Sequence, residues 1–125
     1  MIPKFRAWIK SKRKLLPVSQ IIWHKGDISR ILTVEGAVLD SHLAEDVVLM
    51  QSTGLFDKNG KEIFEGNMVK LRYTISSDYE FFKVTRFRGG SWRIDNLRRG
   101  CELWLRNEDC EVIGNIYEDS ELVEG

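Results

Sequence analysis

His24, His42, Cys101 and Cys110 are the complete stock of soft metal ligands in the sequence, and a tetrahedral structural zinc would need every one of them. Their spacing matches no zinc finger, and a long aromatic stretch separates the histidines from the cysteines. Buried thiols and surface imidazoles are therefore expected, with no metal and no cofactor. Neither histidine stands in a triad motif, and no Gly-x-Ser-x-Gly elbow occurs, so nothing indicates a catalytic residue, an enzyme or a small-molecule substrate.

Two loop-like patterns fail on spacing. From Gly54 to Gly60-Lys61 five residues separate the glycines instead of the four of a phosphate-binding loop, and Glu62 stands where the magnesium-binding hydroxyl belongs. A calcium loop begun at Asp57 would bring Gly60 two positions early and set Met68 at the place of the bidentate glutamate. What Asp57, Asn59 and Gly60 offer instead is a turn. Asp accepts from nearby backbone amides and Asn-Gly tolerates positive φ, while Leu55, Phe56, Ile63 and Phe64 flank the turn as hairpin arms. Gly66-Asn67 supplies a second turn, after which Val69, Leu71, Tyr73 and Ile75 alternate with charged and polar residues as a strand.

The pattern with the most binding chemistry is residues 86–93, RFRGGSWR. Arg86, Arg88 and Arg93 interleave with Phe87 and Trp92 around a glycine pair, and Arg98 and Arg99 follow. Guanidinium forks beside stacking planes are the ingredients of sequence-tolerant binding to single-stranded nucleic acid. Lys10, Lys12, Arg13 and Lys14, near Trp8, could extend such a surface. Against this stands a formal net charge of zero.

Around these residues, 125 positions suffice for one domain or two small units. The expected organisation is an N-terminal β region over residues 1–50 and a C-terminal β unit over 51–125. A first strand covers residues 2–9, with Trp8 on its charged face. Pro17 confines the start of the next segment to an edge or a turn, residues 18–24 continue as a strand, and 28–34 form another. Residues 37–44 are the one place where a short helix is entertained, with Asp40 or Ser41 as cap. Residues 47–50 read as a buried strand, and 79–87 as an aromatic strand in which a bulge at Phe81-Phe82 reconciles two registers. Cys101, Leu103 and Leu105 alternate as a further strand, and residues 112–117, interrupted by Gly114, close the fold. Many short strands with glycine turns indicate an all-β barrel or sandwich with little helix.

Charge is unevenly spread. The first residues are basic, whereas Glu108, Asp109, Glu111, Glu118, Asp119, Glu121 and Glu124 meet no Lys or Arg after Arg106. Pairing of the two ends, head-to-tail association and two solvated faces all fit, the last being the default for exposed charges. No signal peptide and no membrane-spanning run are visible, and the two cysteines are expected as reduced thiols of the cytoplasm.

MIPKFRAW, DVVLMQSTGL, DKNGKEIFEGN and VIGNIYE, in this order and spacing, resemble the YopX family of bacteriophage and prophage proteins. The resemblance implies a phage or prophage origin, a bacterial cytoplasm, and a small SH3-like β-roll in the later part; it carries no catalytic residues. Here Gly66-Asn67 replaces the Gly-Asp usual in the family, and Asp119-Ser120 its Asn-Pro. With enzymes unsupported, a protein-binding or self-associating module is the leading expectation. Nucleic-acid binding through the residue 86–93 hairpin is the alternative.

Overall fold

The computed structural model describes residues 4–118. The chain is mainly β, built from eleven antiparallel strands, and it divides into two compact units, Met1–Gln51 and Ser52–Gly125.

In the first unit β1 (Phe5–Ile9), β2 (Lys14–His24), β3 (Asp27–Glu35), β4 (Val38–Leu43) and the start of β5 (Val47–Phe56) pair in the order β4-β3-β2-β1-β5. Two tight turns set this meander. Lys25 and Gly26 both have positive φ, 51° and 87°, between the paired His24 and Asp27, which is the twist a two-residue hairpin needs. Gly36 at φ 63° turns the chain between Glu35 and Val38. Ala7, Ile9 and Ile31 form the core of one face, with Leu16, Val18, Ile28, Val47 and Leu49 packed against it. Pro17 is tolerated because pairing with β3 begins only at Val18, so β2 has β1 alone beside it at that point.

The segment entertained as a helix is the strand β4. Its Asp40 and His42 alternate with Leu39, Ser41 and Leu43, and every residue from Val38 to Leu43 has a partner on β3. The period of two prevails because it buries His42 against Thr33, whose Oγ1 lies 2.8 Å from Nε2. Helix is confined there to one 3₁₀ turn, Ala44–Asp46. Trp8 shares its face of β1 with Arg6 and is buried there, with Arg13 over its ring at 5.7 Å.

In the second unit the end of β5 pairs with β6 (Glu62–Phe64). An open sheet follows in the order β10-β9-β8-β7-β11, from β7 (Asn67–Arg72), β8 (Tyr79–Arg86), β9 (Trp92–Asp95), β10 (Gly100–Glu102) and β11 (Glu111–Asn115). Ile63, Val69, Leu71, Phe82, Val84, Ile94, Leu103, Cys110 and Val112 make its core. Three expectations are corrected here. β7 stops at Arg72 and leaves Ile75 exposed, because the Ser77 hydroxyl closes a turn by accepting from the Thr74 N–H and donating to the Thr74 carbonyl. The β7–β8 register runs from Met68–Lys83 to Arg72–Tyr79 without a shift, so there is no bulge at Phe81-Phe82. After Glu102 the chain coils into α1 (Leu103–Arg106) and a 3₁₀ turn, Asn107–Asp109. Arg106 fixes that coil by donating to the carbonyls of Tyr73 and Arg72, both at 2.9 Å.

Candidate functional site

The β8–β9 hairpin brings Arg86, Arg88, Trp92 and Arg93 together. Its loop is closed by the Phe87 N–H on the Ser91 carbonyl at 2.8 Å and the Gly90 N–H on the Phe87 carbonyl at 3.0 Å. Gly89 and Gly90, at φ 87° and 93°, supply conformations other residues rarely adopt. The guanidinium of Arg86 lies 5.9 Å from the Trp92 ring, and that of Arg93 lies 5.7 Å from Phe87. Arg93 also pairs with Asp95 at 3.2 Å. Arg88 is exposed at the tip.

Arg98 and Arg99 are elsewhere. They occupy the β9–β10 turn, where the Asn96 side-chain oxygen accepts from both of their backbone amides. Their side chains reach Glu80 at 3.8 and 3.5 Å, and Arg99 covers the Tyr73 ring at 4.8 Å. The six residues of the arginine-aromatic set therefore fall into two places, and several of their cations are already matched to carboxylates or rings. The N-terminal lysines behave likewise. Lys12 pairs with Asp40 at 2.6 Å, Lys14 with Glu35 at 3.3 Å, and Lys10 Nζ donates to the Glu45 carbonyl. These pairs lie wholly within the first unit. The acidic residues beyond Glu118 lie outside the described residues.

A cation-aromatic row that sequence reading passed over lies on β7 and β8. Arg72 stands opposite Tyr79 and Lys70 opposite Phe81. The Tyr79 ring has Lys70 at 4.8 Å and Arg72 at 4.6 Å, and Tyr79 and Phe81 are both partly exposed. Tyr79-x-Phe81 spacing was the available signal, since residues two apart on a strand share a face. Beside it is an open groove of about 550 Å³ whose lining mixes Lys58, Arg72 and Arg106 with Glu108 and Asp109, so that neither sign dominates.

The soft ligands are dispersed. His24 is exposed and His42 buried in the first unit, against the expectation of two surface imidazoles, while both cysteines belong to the second. No cluster of three His, Cys, Asp or Glu able to hold a metal occurs among the described residues. Cys101 and Cys110 are free thiols. Burial pushes Cys110 up to about 12 and Cys101 upward to a smaller degree. Native protein at neutral pH is expected to react with a disulfide thiol reagent slowly, Cys110 slowest, because thiolate is the attacking form. Denaturant should release both thiols at the rate of free cysteine; fast native labelling of Cys110 would refute this.

The turn residues are structural. Asp57 is almost wholly buried and its carboxylate takes three backbone amides: Oδ1 accepts from Asn59 and Lys61 at 2.9 and 2.8 Å, Oδ2 from Val112 at 2.9 Å. Gly60, at φ 79°, completes the turn by donating to the Asp57 carbonyl. Gly66, at φ 86°, donates its N–H to the Val84 carbonyl, and its own carbonyl accepts from Ile116. Asn67 uses both ends of its amide, the oxygen accepting from Phe64 N–H at 2.7 Å and the nitrogen donating to the Gly114 carbonyl at 3.0 Å. A carboxylate at 67 could make only the first of these bonds. Asn67→Ala should cost about 2 kcal/mol, as expected for two buried groups losing their partner, and chemical denaturation measures it.

The first unit carries exposed apolar residues on two strands of its sheet: Ile22 and Trp23 on β2, and Val38, Leu39 and Leu43 on β4, with β3 between them. Register puts Ile22, Arg30 and Leu43 in one row and Val34 beside Leu39. The Trp23 and Leu39 side chains are 61% and 64% exposed. Alternation along β4 sets Leu39 and Leu43 on one face and Val38 on the other. Sequence reading missed it because it did not make β4 a strand.

Two solved structures share the fold. Protein EF1440 from Enterococcus faecalis is 26% identical, with a TM-score of 0.69 over 98% of this chain and 99% of its own. Protein yopX from Bacillus subtilis is 22% identical, with a TM-score of 0.69 over 95% of this chain and 96% of its own. No curated protein matches the sequence. The family model described as YopX protein matches residues 4–124, which is nearly the whole chain. By that match the chain belongs to the YopX family.

Proposed function

We propose that this chain is a non-enzymatic accessory protein of phage or prophage origin that acts by binding protein, and that its first partner is a second copy of itself. The observation that supports it is β4, where Leu39 and Leu43 stand exposed on one face of a terminal strand, with Ile22 in the row of Leu43. Reading the chain as a binder and not a catalyst rests on the state of its reactive groups. The Cys110 thiol is buried and shifted to about 12, and the His42 ring is engaged with Thr33 inside the first unit. Among the described residues no helix is long and apolar enough to cross a membrane.

Light scattering coupled to size exclusion tests self-association. The expected result is a mass above that of the monomer at micromolar concentration, falling to the monomer in a Leu39→Lys, Leu43→Lys double variant. Replacing two interfacial leucines by charges should weaken the complex by about a hundredfold, or roughly 3 kcal/mol. A wild-type protein that stays monomeric throughout that range would overturn the reading.

Nucleic-acid binding is a second reading, favoured by Tyr79 and Phe81 beside Lys70 and Arg72 more than by the hairpin tip, whose Arg93 is paired with Asp95. Fluorescence anisotropy with single-stranded oligonucleotides at low salt decides it. Binding should then weaken in Arg72→Ala and Phe81→Ala and fall steeply with salt, and unchanged anisotropy excludes it.

A further inference from the structure

We infer that two copies of this chain join edge to edge through β4, antiparallel about a two-fold axis at Ser41, with Leu39 opposite Leu43 of the second copy and Asp40 opposite its His42. This rests on the self-association reading and specifies its geometry.

Among the described residues β4 is the terminal strand of its sheet, with β3 on one side and no strand on the other. Free sheet edges invite pairing, and proteins blunt them by shortening, bulges, proline or lysine. The other terminal strands are blunted in this way. β6 and β10 have three residues each, and β11 shifts register between Val112 and Gly114. β4 has six residues, VLDSHL, and pairs with β3 without any register shift. It contains neither proline nor lysine.

The register follows from backbone geometry. Glu35 and Val38 flank a two-residue turn, and such residues form a hydrogen-bonded pair. Alternation then directs the amides and carbonyls of Val38, Asp40 and His42 toward β3, and those of Leu39, Ser41 and Leu43 outward. Ser41 bears this out: its N–H, turned from β3, is taken by the Asp40 side chain at 2.9 Å. A carbonyl of a second copy would replace that acceptor and free the Asp40 oxygen.

An added antiparallel strand must match outward groups with outward groups, so odd-numbered residues face odd-numbered ones. Among those registers, the one centred on Ser41 aligns residues 39–43 and sets Leu39 against Leu43 twice. Both leucines lie on the same face, Leu39 beside Val34 and Leu43 beside Arg30, so each row across the axis reads Arg30, Leu43, Leu39, Val34. On the opposite face Asp40, which holds Lys12 of its own copy, stands opposite the buried His42, and no like charges are opposed. A neighbouring register centred on residue 40 or 42 sets a leucine against Ser41 and leaves the other leucine overhanging. A two-fold contact of this kind closes at the dimer and does not propagate.

Cysteine cross-linking reads the register directly. In a Cys101→Ser background, Ser41→Cys is expected to join to itself with a short thiol-to-thiol linker, since directly opposed residues have Cα atoms about 5.5 Å apart. Leu39→Cys alone should not, as four residues of strand rise separate it from its own copy by roughly 14 Å. An equimolar mixture of Leu39→Cys and Leu43→Cys should link again. Circular dichroism confirms that each variant is folded. A self-associating protein whose Ser41→Cys form fails to link overturns this geometry and leaves self-association standing. A monomeric wild type overturns both.

Discussion

Asp57→Ala is expected to lower stability by about 3 kcal/mol, since it removes a charged acceptor from three backbone amides at roughly 1 kcal/mol or more each. Those amides belong to Asn59, Lys61 and Val112. One carboxylate therefore closes the β5–β6 turn and ties it to β11, so its removal loosens two places at once. Asp57→Asn is the informative control, because it can keep an oxygen on the Asn59 and Lys61 amides while facing Val112 N–H with an NH₂ group. Its expected cost is about 2 kcal/mol. Urea unfolding measures both.

The pH dependence has a definite sign. Burial pushes the Asp57 carboxyl upward, but the amides of Val112, Lys61 and Asn59 together outweigh it and hold the group below the ordinary carboxylate range. A folded value below the unfolded one, about 3.9, means that the stabilisation is complete above that pH and is lost as the pH falls through the folded value. The gap between wild type and Asp57→Asn should be constant near neutrality and shrink below about pH 4. A gap that widened in acid would show that the carboxylate is not what holds the turn.

Turn chemistry made this site legible in sequence: Asp at 57 with Asn-Gly behind it specifies a loop whatever surrounds it. What lay outside reach was the third amide, from Val112, fifty-five residues away. The same division runs through the fold. Val69 and Leu71, alternating with charges, announced β7, whereas the stop at Arg72 depended on the Thr74–Ser77 turn and on Arg106 reaching back to the Arg72 and Tyr73 carbonyls. Cys101, Leu103 and Leu105 showed a strand period, yet residues 103–106 are helical. Leu103 is buried while Leu105 is 55% exposed, so the alternation was never a shared face.

β4 is the more instructive difference. VLDSHL has the polar residues of a helix cap and a weak apolar pattern, because its outer leucines are not covered and its inner positions are Asp40 and His42. Local composition could not identify the strand; pairing with β3 and the Thr33–His42 contact did. The arginine-aromatic set was legible as a list of residues but not as one surface. Arg98 and Arg99 are drawn to Glu80, a residue that reads in sequence as a solvent-facing charge and is only 13% exposed at its side chain.

Phe82→Ala is expected to cost about 3–5 kcal/mol, the usual range for deleting a fully buried aromatic side chain, and Phe81→Ala less than about 1 kcal/mol as a surface change. Adjacent aromatics at a strand centre admit two arrangements. A bulge would turn both rings toward the core, and an unbroken ladder must put them on opposite faces. The β7–β8 register is unbroken, pairing Phe81 with Lys70 and Phe82 with Val69. Phe82 is accordingly fully buried, with Tyr73 stacked at 6.2 Å between centroids, while Phe81 is 42% exposed. Equilibrium denaturation of the two single variants separates these arrangements without another structure: a bulge demands two large losses, the ladder one large and one small. Because Phe81 shares its face with Tyr79, Lys70 and Arg72, its tolerance of alanine is also what leaves that row free to meet a ligand.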